Sequence, residues 1–208
     1  MKLKICGVRN QEMLDFCEES GVDYVGFNFV PSSKRRIDVG SELLNQEFSG
    51  KKVALFMNQS LEDVQGVLEN FKPDVLQFHG DEDLEFLQKV KSFFDGEIWK
   101  AVKIDEDFNV SELEGLKDMV DVFLFDAKTP GAGKVISDSG ALNDAIEFCK
   151  ENNLKFAIAG GINAENIAEF AKNYPAAEFL DTASGVEDDK EFSEEGATSL
   201  LTDLRNND

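Results

Sequence analysis

The sequence predicts a closed (β/α)8 barrel. Three observations carry this. Short apolar segments alternate with amphipathic ones from end to end, and the alternation completes eight times without a long break. The length, 208 residues, stands at the compact end for such a barrel. An open doubly wound sheet would instead place a glycine-rich fingerprint after the first strand, and the turn Gly7-Val8-Arg9-Asn10 has a single glycine.

In order, strands are expected over residues 3–6, 23–29, 53–57, 75–78, 98–104, 122–125, 156–159 and 179–180, each an apolar run bounded by polar or turn residues. Helices are expected over 11–19, weakly over 41–47, from a cap at Ser60, and over 83–94, 111–117 and 139–151. Another opens at an N-cap on Asn163, and a last one covers 190–204. No linker, low-complexity tract or strong repeat divides the chain, so residues 1–208 are read as one domain.

With 208 residues and 42% hydrophobic content, the chain can bury one substantial core. The formal net charge of −21 argues against a nucleic-acid partner, because a phosphate backbone would be repelled. The acidic residues, densest from Glu187 to Glu195, read as solvated surface. Any positive field for a small anion must be local, from Lys34-Arg35-Arg36, Lys128 or Lys134. No apolar run reaches bilayer length and the N-terminus passes straight into a strand, so a cytoplasmic protein with no membrane partner is expected. Cys6, Cys17 and Cys149 are scattered and odd in number, which predicts free thiols, the latter two packing on helix faces.

The stretch 156–187 organises the site. Gly160-Gly161 ends one strand and Ser184-Gly185 the next, so two neighbouring strand ends present glycines whose backbone N–H groups can cradle a phosphate. Cys6, His79, Asp126 and Asp181 end the first, fourth, sixth and eighth strands and converge on the same mouth. Strand alternation puts Lys4 one layer below Cys6, where an ammonium would favour the thiolate. His79 is the only histidine. It reads as a hydrogen-bonding group of the mouth rather than a ligand, and no metal site or cofactor is expected.

These residues resemble the phosphoribosylanthranilate isomerase family. The resemblance lies in segments 4–7 (KICG), 26–27 with the loop 33–35, 53–58 (VALFMN) and 76–81 (LQFHGD). It continues in 124–128 (LFDAK) with 133–134, 159–163 (AGGIN) with 165–166, and 181–187 (DTASGVE), in the family's order and over nearly the whole chain. The resemblance implies an Amadori rearrangement of the aminoaldose N-(5-phosphoribosyl)anthranilate to 1-(2-carboxyphenylamino)-1-deoxyribulose 5-phosphate, with Asp126 as general acid and Cys6 as general base. It places the anthranilate carboxylate on Arg35, with Arg36 at a usually aromatic position as the alternative, and the phosphate on Gly160, Gly161, Ser184 and Gly185. Asp181 would touch the substrate's amine or hydroxyls. The partner implied is a small phosphosugar, handled by a monomer or homodimer. One departure stands out: residues 134–139, KVISDS, lack the aromatic, Asp and Trp that the family carries after its Gly-Lys. The alternatives are a histidine-pathway aminoaldose isomerase, which would use an aspartate where Cys6 stands, and a phosphate-ligand-binding barrel without catalysis.

Overall fold

Eight parallel strands close on themselves in sequence order, β1 (Lys2–Cys6), β2 (Tyr24–Asn28), β3 (Lys51–Phe56), β4 (Val75–Phe78), β5 (Glu97–Lys103), β6 (Val122–Asp126), β7 (Lys155–Ala159) and β8 (Phe179–Thr182). This is a computed structural model that describes residues 1–105, 107–126 and 140–206. The ring is sealed where β1 pairs with β8, Lys4 lying opposite Asp181. Around it pack α1 (Gln11–Glu19), α2 (Leu61–Leu68), α3 (Leu84–Lys91), α4 (Ser111–Glu114), α5 (Gly140–Glu151), α6 (Ile167–Asn173) and α7 (Glu194–Arg205). Among the described residues no helix is long and apolar enough to cross a membrane.

Every strand is buried on both faces, and its two alternating sets of side chains do different work. The outward set meets the helices. Several of the chain's 18 phenylalanines are spent there: Phe29, Phe56 and Phe78 stack in succession with centroids 5.7 and 5.9 Å apart, and Phe125 stacks on Phe156 at 6.1 Å. The inward set fills the barrel. Tyr24, Trp99 and Phe179 meet at 4.6 to 5.1 Å and, with Val53, Val75 and Val122, plug its lower half. Their polar atoms are satisfied at the barrel's base, where Trp99 Nε1 donates to Glu97 and Lys2 Nζ donates to the Tyr24 hydroxyl.

The helices expected over 83–94 and 111–117 are shortened to Leu84–Lys91 and Ser111–Glu114, and three others are displaced or shortened, each for a visible reason. The segment expected as a helix over 41–47 forms one 3-10 turn, Glu42–Asn45, because Lys52 Nζ takes the carbonyls of Leu44 and Gln46 that a longer helix would use. Asn163 caps a turn, not the helix. Its side chain accepts from Glu165 N–H, Asn166 Oδ1 accepts from Asn163 N–H, and α6 starts only at Ile167. The last helix begins at Glu194 because residues 187–192 form a hairpin, β9 (Glu187–Asp188) and β10 (Glu191–Phe192). Asp189 and Lys190 turn it with φ of 46° and 73°, angles of a tight two-residue hairpin that no helix can contain. Ser193 then caps α7 by accepting from Gly196 N–H.

Candidate active site

Above the aromatic plug most inward side chains become small or polar, Leu55 of β3 being an exception, and a cavity of about 460 Å³ opens at the C-terminal ends of the strands. Cys6, His79, Asp126, Asp181, Arg35, Gly160, Gly161 and Ser184 all line it, so eight of the nine residues expected at the site share one wall. At His79, Asp126 and Met57 it runs into a neighbouring cavity of about 660 Å³ over β4 and β5, where the buried Lys100 donates to Gly80 O and faces Glu82 at 3.5 Å. Burial holds the Lys100 ammonium below the ordinary lysine value, although Glu82 pulls it upward.

Lys4 is fully buried and its Nζ donates to Asp181 Oδ1 at 2.8 Å, across the β1–β8 seam. Burial alone would lower the Lys4 pKa, but the Asp181 carboxylate and the Cys6 thiol more than offset it and the ammonium is favoured. The expectation that Lys4 would draw the Cys6 pKa down is corrected: the Cys6 thiol is pushed up. Burial outweighs the pull of Lys4, and the Asp181 carboxylate that Lys4 already serves adds to the upward push. Asp181 is also raised, by burial, with Lys4 opposing. The seam fits together because β2 carries Gly26 beside it. A Cβ there would stand 2.9 Å from Cys6 Sγ and 3.3 Å from Lys4 Nζ.

Across the mouth, His79 Nε2 lies 3.7 Å from Asp126 Oδ2. The rim at β7 and β8 is made by Gly160 and Gly161, with φ of 100° and 77°, conformations open to glycine. Among the described residues no acceptor takes up the N–H of Gly160, Gly161 or Ser184. Thr182 Oγ1 donates to Ile162 O at 2.7 Å and binds the two strand ends together. Gly185 stands behind this rim. A Cβ on it would meet Ile162 O at 2.1 Å, so its smallness serves the contact between the two turns.

Arg35 reaches the cavity, whereas Arg36 faces the half-exposed surface near Asp38. Arg35 is not isolated: its Nε donates to Glu187 Oε1 at 2.7 Å and its Nη2 to Oε2, and Arg9 Nη1 joins the same carboxylate at 3.0 Å. Glu187, expected as solvated surface, is therefore a partly buried anchor whose carboxylate is largely withdrawn from water. Burial would raise its pKa, but the two guanidiniums hold it below the usual carboxylate range. Lys128, Lys134 and the segment 134–139 lie outside the described residues. Among the described residues no group of three His, Cys, Asp or Glu side chains is placed to hold a metal ion. Sequence reading also missed Gln77, whose signal was its position two residues before His79 on the inward face of β4.

A thiol and two carboxylates gathered with a glycine-rich rim at the mouth of a (β/α)8 barrel are groups of the kind that acid–base chemistry on a small ligand uses, in the place where barrel enzymes hold their active sites. The model of the N-(5'-phosphoribosyl)anthranilate (PRA) isomerase family matches residues 3–191, and the chain belongs to that family. It is 33% identical over 191 residues to the N-(5'-phosphoribosyl)anthranilate isomerase of Sinorhizobium fredii, covering 90% of this chain and 85% of the relative. To that of Brevibacillus brevis it is 35% identical over 198 residues, covering 90% and 86%. The crystal structure of the Thermus thermophilus phosphoribosyl anthranilate isomerase superposes with a TM-score of 0.81 at 27% identity, covering 99% of both chains. Monomers generated from the dimeric Thermotoga maritima enzyme give 0.79 at 25% identity, covering 99% of this chain and 98% of that one. These matches favour neither the histidine-pathway isomerase nor the binding barrel.

Proposed function

We propose that the chain converts N-(5'-phosphoribosyl)anthranilate to 1-(2-carboxyphenylamino)-1-deoxyribulose 5-phosphate, with Asp126 as general acid and Cys6 as general base. The observation that carries this reading is that one cavity holds Cys6, Asp126 and the Gly160-Gly161 rim together. The phosphate takes the N–H groups of Gly160, Gly161 and Ser184, whose backbone dipoles need no cation. The anthranilate carboxylate takes the Nη1 edge of Arg35, which Glu187 grips by the opposite edge and so holds in a fixed plane. Asp181 is committed to Lys4 and contacts the substrate's amine or hydroxyls from beside Cys6.

The order of steps is the one that the family resemblance implies. Asp126 gives a proton to the ring oxygen; the C1–O bond breaks and the nitrogen lone pair forms an iminium ion. Cys6 is a buried thiol at rest, and the new positive charge beside it adds to the pull of Lys4, which burial outweighs in the resting site. The Cys6 proton passes to the Asp126 carboxylate that the first step left behind, so one negative charge is kept between the two groups; the thiolate then takes the C2 proton, the electron pair neutralises the iminium nitrogen, and the resulting enolamine tautomerises to the ketone. Product formation is followed by the fluorescence of the anthranilate moiety. Wild-type protein is expected to turn over, and Cys6→Ala and Asp126→Asn each to lose about 10²- to 10⁴-fold in kcat with an unchanged melting temperature. Full activity in either variant would remove its assigned role. We place the enzyme in the cytoplasm, where its three free cysteines stay reduced, as a monomer or homodimer, which sedimentation distinguishes.

A further inference from the structure

Six polar or charged side chains are buried among the described residues, and five of them are partnered. Lys4 bonds Asp181, Lys100 bonds Gly80 O, Glu82 accepts from the N–H of Asn58 and Gly80, and Thr182 bonds Ile162 O. Gln77 is the exception: both its Oε1 and its Nε2 are buried and neither has a hydrogen-bond partner. A folded protein loses stability by burying an amide in this state, and replacing it with an apolar side chain of the same size would remove the loss. Gln77 sits inward on β4, level with Leu55 and Trp99 on the flanking strands, and lines the floor of the cavity that also holds Cys6, Asp126 and Asp181.

We propose that Gln77 is a substrate-binding residue of the isomerase, its amide receiving a hydroxyl of the ribosyl chain. The choice of group follows from the amide's chemistry. It presents a donor and an acceptor side by side, which matches a hydroxyl, itself both donor and acceptor. Phosphate and carboxylate offer only acceptors and would face the amide oxygen with like partial charge; both already have better partners at the glycine rim and at Arg35. The ribosyl carbons between those two anchors pass over the floor, where Cys6 acts. A neutral amide can hold a hydroxyl there without adding charge to the crowded Lys4, Asp181 and Cys6 seam.

The inference rests on the isomerase reading, and the experiment separates the two. Wild type, Cys6→Ala, Gln77→Met and, as a second variant, Gln77→Leu are compared in isomerase kinetics, in thermal melting, and in binding of the reduced product 1-(2-carboxyphenylamino)-1-deoxyribitol 5-phosphate. Expected is a fall of about 10- to 100-fold in kcat/KM and weaker binding of the reduced product in the Gln77 variants, with a melting temperature equal to or above that of wild type. An inactive wild type would overturn the isomerase reading and this inference with it. An active wild type beside Gln77 variants with unchanged kinetics would overturn the inference alone. So would variants that melt lower, or fail to fold, because the amide would then be holding the fold, in the form a buried water would give.

Discussion

Two layers of the same eight strands behave as different materials. At the floor of the barrel stand Tyr24, Trp99 and Phe179, ring against ring, with their polar atoms satisfied. Two residues further along the same strands, with the side chains pointing the same way, stand Gly26, Ala101 and Asp181. The change from large and apolar to small or charged opens the cavity, and it happens within one pleat repeat of about 7 Å. The floor gains stability from packing. The mouth gives up packing to keep Lys4, Gln77 and Asp181 out of water, which suits it to shift pKa values and bind polar ligands. Function is thus placed on strands whose lower halves hold it rigid.

This division can be attacked from both sides. The largest effect is expected from Lys4→Met, which leaves Asp181 buried without a counter-ion. It should cost about 3–5 kcal/mol in urea unfolding and most of the activity, whereas the double variant Lys4→Met/Asp181→Leu should recover stability but not turnover. Recovered turnover would show the seam to be mere packing. Trp99→Ala should cost about 3–5 kcal/mol of stability while kcat per folded molecule stays within a few-fold. A collapse of kcat would mean that floor and mouth are not separable. Gly26→Ala forces its new methyl against Cys6 Sγ and should cost about 1–3 kcal/mol, read mainly as lost kcat because the displaced atom is the base; an unchanged kcat would show that Cys6 tolerates displacement.

The smallest effect concerns protonation. A Cys6 pKa raised in the fold means that the native state holds the proton better than the unfolded chain does. The stabilisation is present below the unfolded thiol value, near 8.5, and is lost as pH rises through the folded one. Over the same window the thiolate fraction grows, so kcat/KM should rise with pH past the usual cysteine range. Iodoacetamide should react with Cys6 later in pH than with a free thiol, and the reduced product should protect it. Cys17 and Cys149, pushed up to about 12 by burial, should stay unmodified until the protein unfolds. Early modification of either helix thiol would contradict its packing.

Much of this was legible before folding was considered. The period-2 and period-3.6 alternation gave eight units, and a barrel brings all its strand ends to one mouth, so Cys6, His79, Asp126, Asp181 and Gly160 could be assembled from strand ends alone. Helix starts were less legible at Asn163 and after Glu187, where paired asparagine side chains and a positive-φ hairpin override a pattern that propensity reads as helix.

By itself the sequence determined the order of elements and which residues end the strands, because both are local periodicities written in neighbouring positions. Only the tertiary structure decided that Glu187 grips Arg35 from 152 residues away, that Lys4 spends its charge on Asp181 from 177 residues away, and that Gln77 is left without a partner among the described residues. Those outcomes depend on which side chains meet across closed seams and on how completely water is excluded from them. Neither quantity has a period along the chain.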